Sequence, residues 1–175
     1  MNMFRKIVAI CLTAFLNVTA NAQDFWEVFK TKDLDVEGIM INHKINYGQF
    51  VDVFGNPDEY ERMDTYITGG VYESEETYRI GGNRFSFCDG GRFFSFHLSD
   101  ARFSALTLWI PGGIRVGDKL SKLDNFKYGK PKVADWMKST DGSVQYVLFY
   151  DYLDGLVFLS VMNGIIEGIW YSDPV

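Results

Sequence analysis

Residues that carry out nucleophilic or metal chemistry are few in this 175-residue sequence: His43, His97, Cys11 and Cys88. A cysteine thiolate beside a histidine is the arrangement of a Cys/His hydrolase, and Cys88 and His97 fall on adjacent predicted strands. Zinc would need three or four ligands at defined spacing, which this set does not provide. The sequence predicts no metal, no cofactor and no enzymatic activity. A hydrolase using Cys88 and His97 is the enzymatic alternative.

Two acidic runs contain the carboxylates that a calcium site would need. They comprise Asp33, Asp35 and Glu37 in one run, and Glu73, Glu75 and Glu76 in the other. Neither run has the Asp-x-Asp-x-Asp-Gly loop with a distal glutamate that forms an EF-hand site. We interpret both runs as solvated charged edges or loops. Glu73 and Glu75 would also discourage edge-to-edge pairing with another sheet.

Glycine-containing pairs divide the chain at positions where β-hairpins turn. Gly-Gly, Asp-Gly and Asn-Gly supply positive φ in tight turns, and the segments between them alternate polar with aromatic or β-branched residues. The pairs stand at 69–70, 81–82, 90–91, 112–113, 141–142, 154–155 and 163–164. None has the spacing of a nucleotide-binding loop. The pattern predicts antiparallel hairpins.

Two stretches follow the same order of elements. Residues 41–57 (INHKINYGQFVDVFGNP) and 114–131 (IRVGDKLSKLDNFKYGKP) each have a short strand-like start, about ten residues at helical spacing, and a Gly-x-Pro that ends the helix. Hairpins and an aromatic-rich strand follow each stretch. The repetition predicts two copies of a helix followed by an antiparallel meander, with residues 41–112 as the first and 113–175 as the second. Residues 23–40 form an N-terminal segment.

The pattern "apolar-x-x-Gly, short helix, Phe/Tyr-Gly-x-Pro, meander", over residues 41–173, resembles the repeat of β-lactamase inhibitor proteins and of the outer-membrane assembly lipoprotein BamE domain. The resemblance implies an α+β fold in which two tandem helix-plus-antiparallel-meander repeats form one curved sheet with helices on one face. It implies a protein-binding module, with an inhibitor that acts by steric occlusion through its sheet surface as the implied role. The alternative that it implies is a BamE-like envelope-assembly or structural accessory protein. The chain has neither the cysteine pairs of the inhibitors nor the lipobox of the lipoproteins.

Strand periodicity assigns residues to the two faces of the predicted sheet. In the first meander, Phe85, Phe87, Phe94, Phe96 and Phe103 share the buried parity, and the opposite parity is polar except for Phe93. In the second meander both parities are apolar, which one layer of helix cannot cover. We expect the second face to be covered by a macromolecular partner, by a second copy in a homodimer, or by residues 24–45 through Phe25, Trp26 and Phe29.

The predicted partner-binding surface combines apolar, mostly aromatic residues of that second face and Phe93 of the first meander with polar residues at one end. Aromatic side chains bury a large area on binding at a small entropic cost. The residues are Phe93, His97, Arg102, Phe149, Phe158, Ile169 and Tyr171.

Residues 1–22 have the three parts of a secretory signal peptide. Arg5 and Lys6 precede an apolar stretch that is too short to span a bilayer, and Ala20-Asn21-Ala22 provides small residues before the cleavage site. We expect cleavage between Ala22 and Gln23, and a periplasmic or secreted protein whose partner is a protein of the envelope or the extracellular space. No later apolar run approaches 18 residues, so no membrane span is predicted.

Loss of the signal peptide makes the chain more acidic. The remaining 15 basic and 23 acidic residues give a net charge of −8. An acidic surface repels phosphate backbones, so the composition excludes nucleic acid as a partner. Cys88 is then the only cysteine, so no intramolecular disulfide forms, and stability depends on an aromatic core.

Overall fold

The computed structural model describes residues 34–68, 71–88, 90–126, 130–137, 139–151 and 155–172. The predicted signal peptide (residues 1–22) and the aromatic residues Phe25, Trp26 and Phe29 lie outside these ranges. Within the described ranges, no helix is long and apolar enough to cross a membrane.

Two antiparallel sheets account for all of the strands that the structure describes. Strands β1 (Asp35–Val36) and β2 (Ile39–Met40) form a small hairpin. The large sheet contains β3 (Glu59–Thr68), β4 (Val71–Ile80), β5 (Asn83–Cys88), β6 (Arg92–Leu98), β7 (Lys132–Val133), β8 (Val144–Asp151), β9 (Gly155–Met162) and β10 (Ile165–Ser172). Its spatial order is β3-β4-β5-β6-β10-β9-β8-β7, so two meanders meet where β6 pairs with β10.

The glycine pairs mark hairpin turns as the sequence predicts at three places. Turns at 81–82, 90–91 and 163–164 connect β4 to β5, β5 to β6, and β9 to β10. Asn163 (φ 52°) and Gly164 (φ 77°) both have positive φ, as a two-residue type I′ hairpin turn requires. The pairs at 112–113 and 141–142 lie in loops instead, and Gly69, Gly70 and Asp154 lie outside the described residues.

The first predicted helix is present as α1 (Tyr47–Phe54). Asn46 caps its start: the Asn46 side chain accepts a hydrogen bond from the Gln49 backbone N–H, and the Gln49 side chain accepts one from the Asn46 N–H, both at 2.9 Å. This reciprocal capping satisfies two N–H groups that a helix start otherwise leaves unpaired. Gly55, at φ 88°, ends the helix, and Phe50 and Phe54 form its buried face.

The second predicted helix is replaced by a single 3₁₀ turn, Leu120–Leu123. Lys119, which precedes it, has no acceptor atom for a side-chain cap. The backbone N–H groups of Gly117 and Leu120 donate to the carbonyls of Ile166 and Gly164, each at 2.8 Å. The segment therefore pairs its backbone with the β9–β10 hairpin instead of with itself.

The predicted α+β fold of two tandem helix-plus-antiparallel-meander repeats is therefore wrong. The described chain is mostly β: one eight-stranded antiparallel sheet, one two-stranded sheet and one helix. Residues 41–112 contain α1 and β3–β6, whereas residues 113–175 contain β7–β10 without a second α-helix among the described residues.

An aromatic core lies between α1 and one face of the first meander. The rings of Phe54 and Phe85 have centroids 4.5 Å apart, and those of Phe50 and Phe87 lie 5.7 Å apart in an edge-to-face arrangement. Phe93 and Phe103 also contact Phe54. We call the sheet face opposite α1 the open face; on β5 it carries Arg84 and Ser86, which alternate with Phe85 and Phe87.

Asp35 is a structural residue of this core. Its carboxylate is fully buried and accepts hydrogen bonds from the backbone N–H groups of Gly38 (2.9 Å), Thr107 (3.2 Å) and Leu108 (3.2 Å), and from the Thr107 hydroxyl. The interpretation of this acidic run as a solvated edge is therefore wrong at Asp35. The β1–β2 hairpin binds the loop after β6 through a buried charge, which requires this many donors.

The described part of the large sheet has four register shifts, and those in β6 and β10 change the predicted exposure of site residues. In β6, Phe87 pairs with Phe93 and Ser86 with Ser95, so Phe94 is the extra residue. Phe93 is consequently buried on the α1 side, and its predicted place on the accessible parity is wrong. An extra residue inverts the parity of everything beyond it in the strand.

The bulge in β10 has the same effect. Ile166 pairs with Val161 and Gly168 with Ser160, which leaves Glu167 as the extra residue. Beyond it, Ile169 and Tyr171 are buried, and Trp170 lies on the open face. The predicted exposure of Ile169 and Tyr171 on a binding surface is therefore wrong.

The open face of the second meander is covered by its own chain. Val147 and Phe158 pack against Ala134 and Met137 of the segment after β7, with Trp170 at the side of the cluster. This segment is not among the three covers that the sequence predicts. Phe158, predicted to be accessible, is only 7% exposed because of it.

Candidate binding face

One cross-strand row on the open face passes through all eight strands of the large sheet. Each residue in it is the register partner of the next. In spatial order the row reads Glu59, Arg79, Arg84, His97, Trp170, Phe158, Val147 and Lys132. Its first three residues are charged, and the next three, His97, Trp170 and Phe158, are aromatic. Val147 is apolar, and Lys132 ends the row with a charge.

Trp170 forms the centre of this row. Its ring stacks on Phe158, with centroids 5.5 Å apart and planes 20° apart. The ring of His97 approaches it edge-on at 5.8 Å and 79°. Trp170 stays half-buried, because the segment that covers Phe158 does not cover it fully. An indole that is fixed on both sides and still accessible is suited to contact a partner.

Two arginines stand directly opposite each other beside this aromatic centre. Arg79 is balanced by Glu59 (3.7 Å) and Glu61 (3.9 Å). Its cross-strand partner Arg84 is exposed and forms no ion pair with any residue that the structure describes. Like charges in directly opposite positions destabilise a sheet. Arg84 is therefore a cation without an ion-pair partner among the described residues.

Small polar residues line the open face on both sides of the row. On one side, the hydroxyls of Thr77 and Ser86 lie 3.0 Å apart, and the Ser95 hydroxyl donates to the Tyr171 carbonyl at 3.0 Å. On the other side, Gly168 has no side chain and its partner is Ser160. A groove of about 300 Å³ lies along the row and is lined by Arg84, Ser95, Phe96, His97, Trp170 and Tyr171, so Ser95 is the short residue that contributes to it.

The electrostatics of the groove act on His97. Burial against its neighbours lowers the pKa of His97 below its usual value, and the positive charge of Arg84 lowers it further. The imidazole is therefore neutral at pH 7, with one ring nitrogen able to donate and the other to accept. Protonation requires acidic conditions or a nearby negative charge.

A second cavity, of about 240 Å³, lies at the start of α1. Its polar groups are already engaged: the Tyr78 hydroxyl donates to Glu76 at 2.9 Å, and Asn46 caps the helix. Burial and the hydrogen bond to Glu76 raise the pKa of Tyr78. Because the polar groups of this second cavity already have hydrogen-bonding partners within the protein, the open-face groove is the better candidate site.

The structure brings together only part of the predicted binding surface. His97 and Phe158 both lie in the row, on either side of Trp170, and the Phe158 ring stacks on the Trp170 ring. Arg102 is instead in the loop after β6, where its guanidinium forms two bonds of 2.9 and 3.1 Å to Asp100 beside the turn at Gly81. Phe149 pairs through its backbone with Val157, and its side chain lies outside the described part.

Asp100 belongs to the support of the β4–β5 turn. Burial alone would raise its pKa, but hydrogen bonds from Asn83 and from Arg102 outweigh that effect and lower the pKa of Asp100 to about 2. Asn83 is fully buried and also donates to the Ile80 carbonyl at 3.1 Å. Arg102 therefore stabilises this turn through Asp100, and this structural role explains its position without a contact to a partner protein.

The structure does not join Cys88 and His97. Cys88 is buried and pairs with Arg92 at one end of the β5–β6 hairpin, whereas His97 pairs with Arg84. The four-residue separation along β5 corresponds to about 13 Å. Among the described residues, no group of three or more His, Cys, Asp or Glu side chains is placed to hold a metal ion.

From the sequence alone, the positions of Arg84 and Trp170 in the sheet are predicted only in part. Arg84 falls on the polar parity with His97, but without cross-strand register its proximity to Arg79 cannot be known. Trp170 falls on the core parity. The sequence feature that would have corrected it is Gly168, because a glycine inside a strand often marks a bulge.

Comparison with protein-family models, with curated proteins and with solved structures found no match to the chain.

Proposed function

We propose that this chain is an exported protein-binding module that holds a partner protein against the open face of its large sheet. The observation that carries the proposal is Trp170, which is half-buried, fixed between Phe158 and His97, and lines the same groove as Arg84. Tryptophan and arginine are the residues most enriched among those that dominate protein–protein binding energies. The proposed mechanism is steric: the partner is occluded or held in place.

The groove supports binding better than catalysis. It offers one neutral histidine, one arginine and hydroxyls that already have hydrogen-bonding partners. None of these hydroxyls is hydrogen-bonded to His97, and Cys88 lies at the other end of the hairpin, so among the described residues His97 activates neither these hydroxyls nor Cys88 as a nucleophile. An aromatic wall with an adjacent cation instead provides contact area and orientation.

The test compares three baits: the wild-type protein, Trp170→Ala and Tyr60→Ala. Tyr60 is the matched control, because it is an aromatic side chain that is 55% exposed on the α1 side of the sheet, where it packs on Tyr78. A partner captured from envelope or culture fractions should bind the wild type and Tyr60→Ala equally. Trp170→Ala should weaken binding by about 2 kcal/mol or more, roughly thirtyfold.

Near-ultraviolet circular dichroism of each bait shows whether it is folded. Capture of the same proteins, in the same amounts, by all three folded baits would contradict the proposal.

Export is a separate part of the proposal and has its own measurement. The mature protein should appear in the periplasm or the medium, and its first residue should be Gln23 because Ala20 and Ala22 fit the signal peptidase. Replacing Ala22 with a bulky residue should cause the precursor to accumulate. A cytoplasmic protein that retains Met1 would contradict export.

A further inference from the structure

We infer that the groove beside Trp170 binds an acidic side chain, aspartate or glutamate, on an extended segment of the partner protein, and that Arg84 recognises its carboxylate. This inference depends on the proposed function and specifies the chemistry of the partner. It rests on the charge order of the cross-strand row, on the surroundings of His97 and on the shape of the groove.

Arg84 is a charged residue of the row that has no ion-pair partner among the described residues. Glu59 and Glu61 both form ion pairs with Arg79, and Arg84 follows as a second arginine directly opposite Arg79. No described residue pairs with the Arg84 guanidinium, although it is exposed and adjacent to the groove. A carboxylate from outside would supply the ion-pair partner that Arg84 lacks among the described residues. The planar guanidinium can also hold both carboxylate oxygens at once.

Among the described residues, no acid faces His97. The residues that face it are Arg84 from β5, and Gly168 and Trp170 from β10; of these only Arg84 is charged. Burial lowers the pKa of His97, and the positive charge of Arg84 lowers it further, so both disfavour the imidazolium. A bound carboxylate would counteract both effects and favour the imidazolium, which would then donate a second charge-assisted hydrogen bond.

The shape of the groove suits a side chain on an extended segment. A volume of about 300 Å³ lies at the lower end of ligand pockets, and the Trp170 ring provides a flat wall for the methylene groups of the guest. The whole chain has a net charge of −6, so an acidic partner is repelled elsewhere. The basic site in the row therefore determines where such a segment can dock.

The experiment selects random peptides displayed on phage against three immobilised full-length proteins: the wild type, Arg84→Glu and Arg62→Glu. Arg62 is the matched control, because it is an exposed arginine on β3 that pairs with Asp64 on the α1 side of the sheet. The wild type and Arg62→Glu should enrich peptides with aspartate or glutamate. Arg84→Glu should lose that enrichment and select lysine or arginine instead.

An enriched peptide then gives a quantitative readout. Arg84→Gln should weaken its binding by about tenfold or more, as expected for the loss of a charge-assisted hydrogen bond. Raising the salt concentration should weaken wild-type binding and leave Arg84→Gln nearly unaffected. Trp170→Ala should abolish binding of the same peptide.

The outcomes separate this inference from the proposed function. If the wild type and Arg84→Glu enrich the same peptides, if the enriched peptides lack acids, or if nothing is enriched, acidic recognition is overturned. Capture of a partner that depends on Trp170 would still support the binding face in each of these cases. Capture that does not depend on Trp170 overturns both.

Discussion

Two neighbouring aromatic residues in β10 should respond very differently to truncation. Tyr171 is 1% exposed and stacks on Phe96 in the core, whereas Trp170 is half-buried on the open face. Removal of a fully buried aromatic side chain leaves a cavity and costs about 3–5 kcal/mol of unfolding free energy. Trp170→Ala loses one stacking contact, worth about 0.5–1.5 kcal/mol, and part of its buried area. We expect about 1–2 kcal/mol for Trp170→Ala and at least 3 kcal/mol for Tyr171→Ala.

Urea unfolding of both variants measures this difference, because the midpoint shifts with stability while the slope reports the surface exposed on unfolding. The bulge at Glu167 is what assigns the two residues to opposite faces. A second pair repeats the test at the bulge in β6: Phe93→Ala should cost several kcal/mol, and Phe94→Ala markedly less. A larger loss for Trp170→Ala than for Tyr171→Ala would refute the register, and with it the composition of the open face.

Three further predictions follow from single contacts. Asn46→Ala should destabilise the protein by about 1 kcal/mol in thermal unfolding because α1 loses its capping box, whereas Lys119→Ala, before the 3₁₀ turn, should have almost no effect. The pKa of the Asp100 carboxylate is lowered to about 2, so the carboxylate should stabilise the fold fully above its unfolded pKa of 3.8 and lose that effect as the pH falls through 2. After allowance for solvent screening, the stabilisation is worth about 1 kcal/mol. Acid unfolding of Asp100→Asn should lack this pH-dependent loss of stability. The pKa of His97, followed by NMR, should rise in Arg84→Gln but remain lowered by burial; an unchanged pKa would show that Arg84 does not act on it.

The sequence predicts those parts of the fold that depend on neighbouring residues. The turn at Asn163-Gly164 follows from the positive φ that both residues tolerate, and α1 follows from Asn46, Gln49 and Gly55. Each of these signals lies within a few residues of the structure that it specifies. Prediction is reliable here because the competing conformations are local as well.

Long-range pairing explains what the sequence does not reveal. The predicted second helix fails because the N–H groups of Gly117 and Leu120 find carbonyl partners in the β9–β10 hairpin. Trp170 and Tyr171 exchange faces because of one extra residue, Glu167. A count of alternating positions cannot detect a bulge, because the parity depends on the partner strand.

In the candidate site too, some features follow from neighbouring residues and others from long-range strand pairing. His97 and Arg84 are both assigned to the polar face by alternation alone. That Arg84 lies directly opposite Arg79 can be predicted only when the register of β4 and β5 is known. The cover of Phe158 by Ala134 comes from a short loop whose sequence contains no marked apolar run. Cross-strand register therefore determines the binding face, although composition already favours an aromatic surface.

The central claim is that a partner binds the open face at Trp170. Amide hydrogen exchange of the protein with and without its captured partner tests it most directly, because it reports which backbone segments become protected. Protection confined to the β5, β6 and β10 segments around Arg84, His97 and Trp170 is the predicted result. Protection of α1 and the β1–β2 hairpin, with the segments around Trp170 unchanged, would contradict the claim.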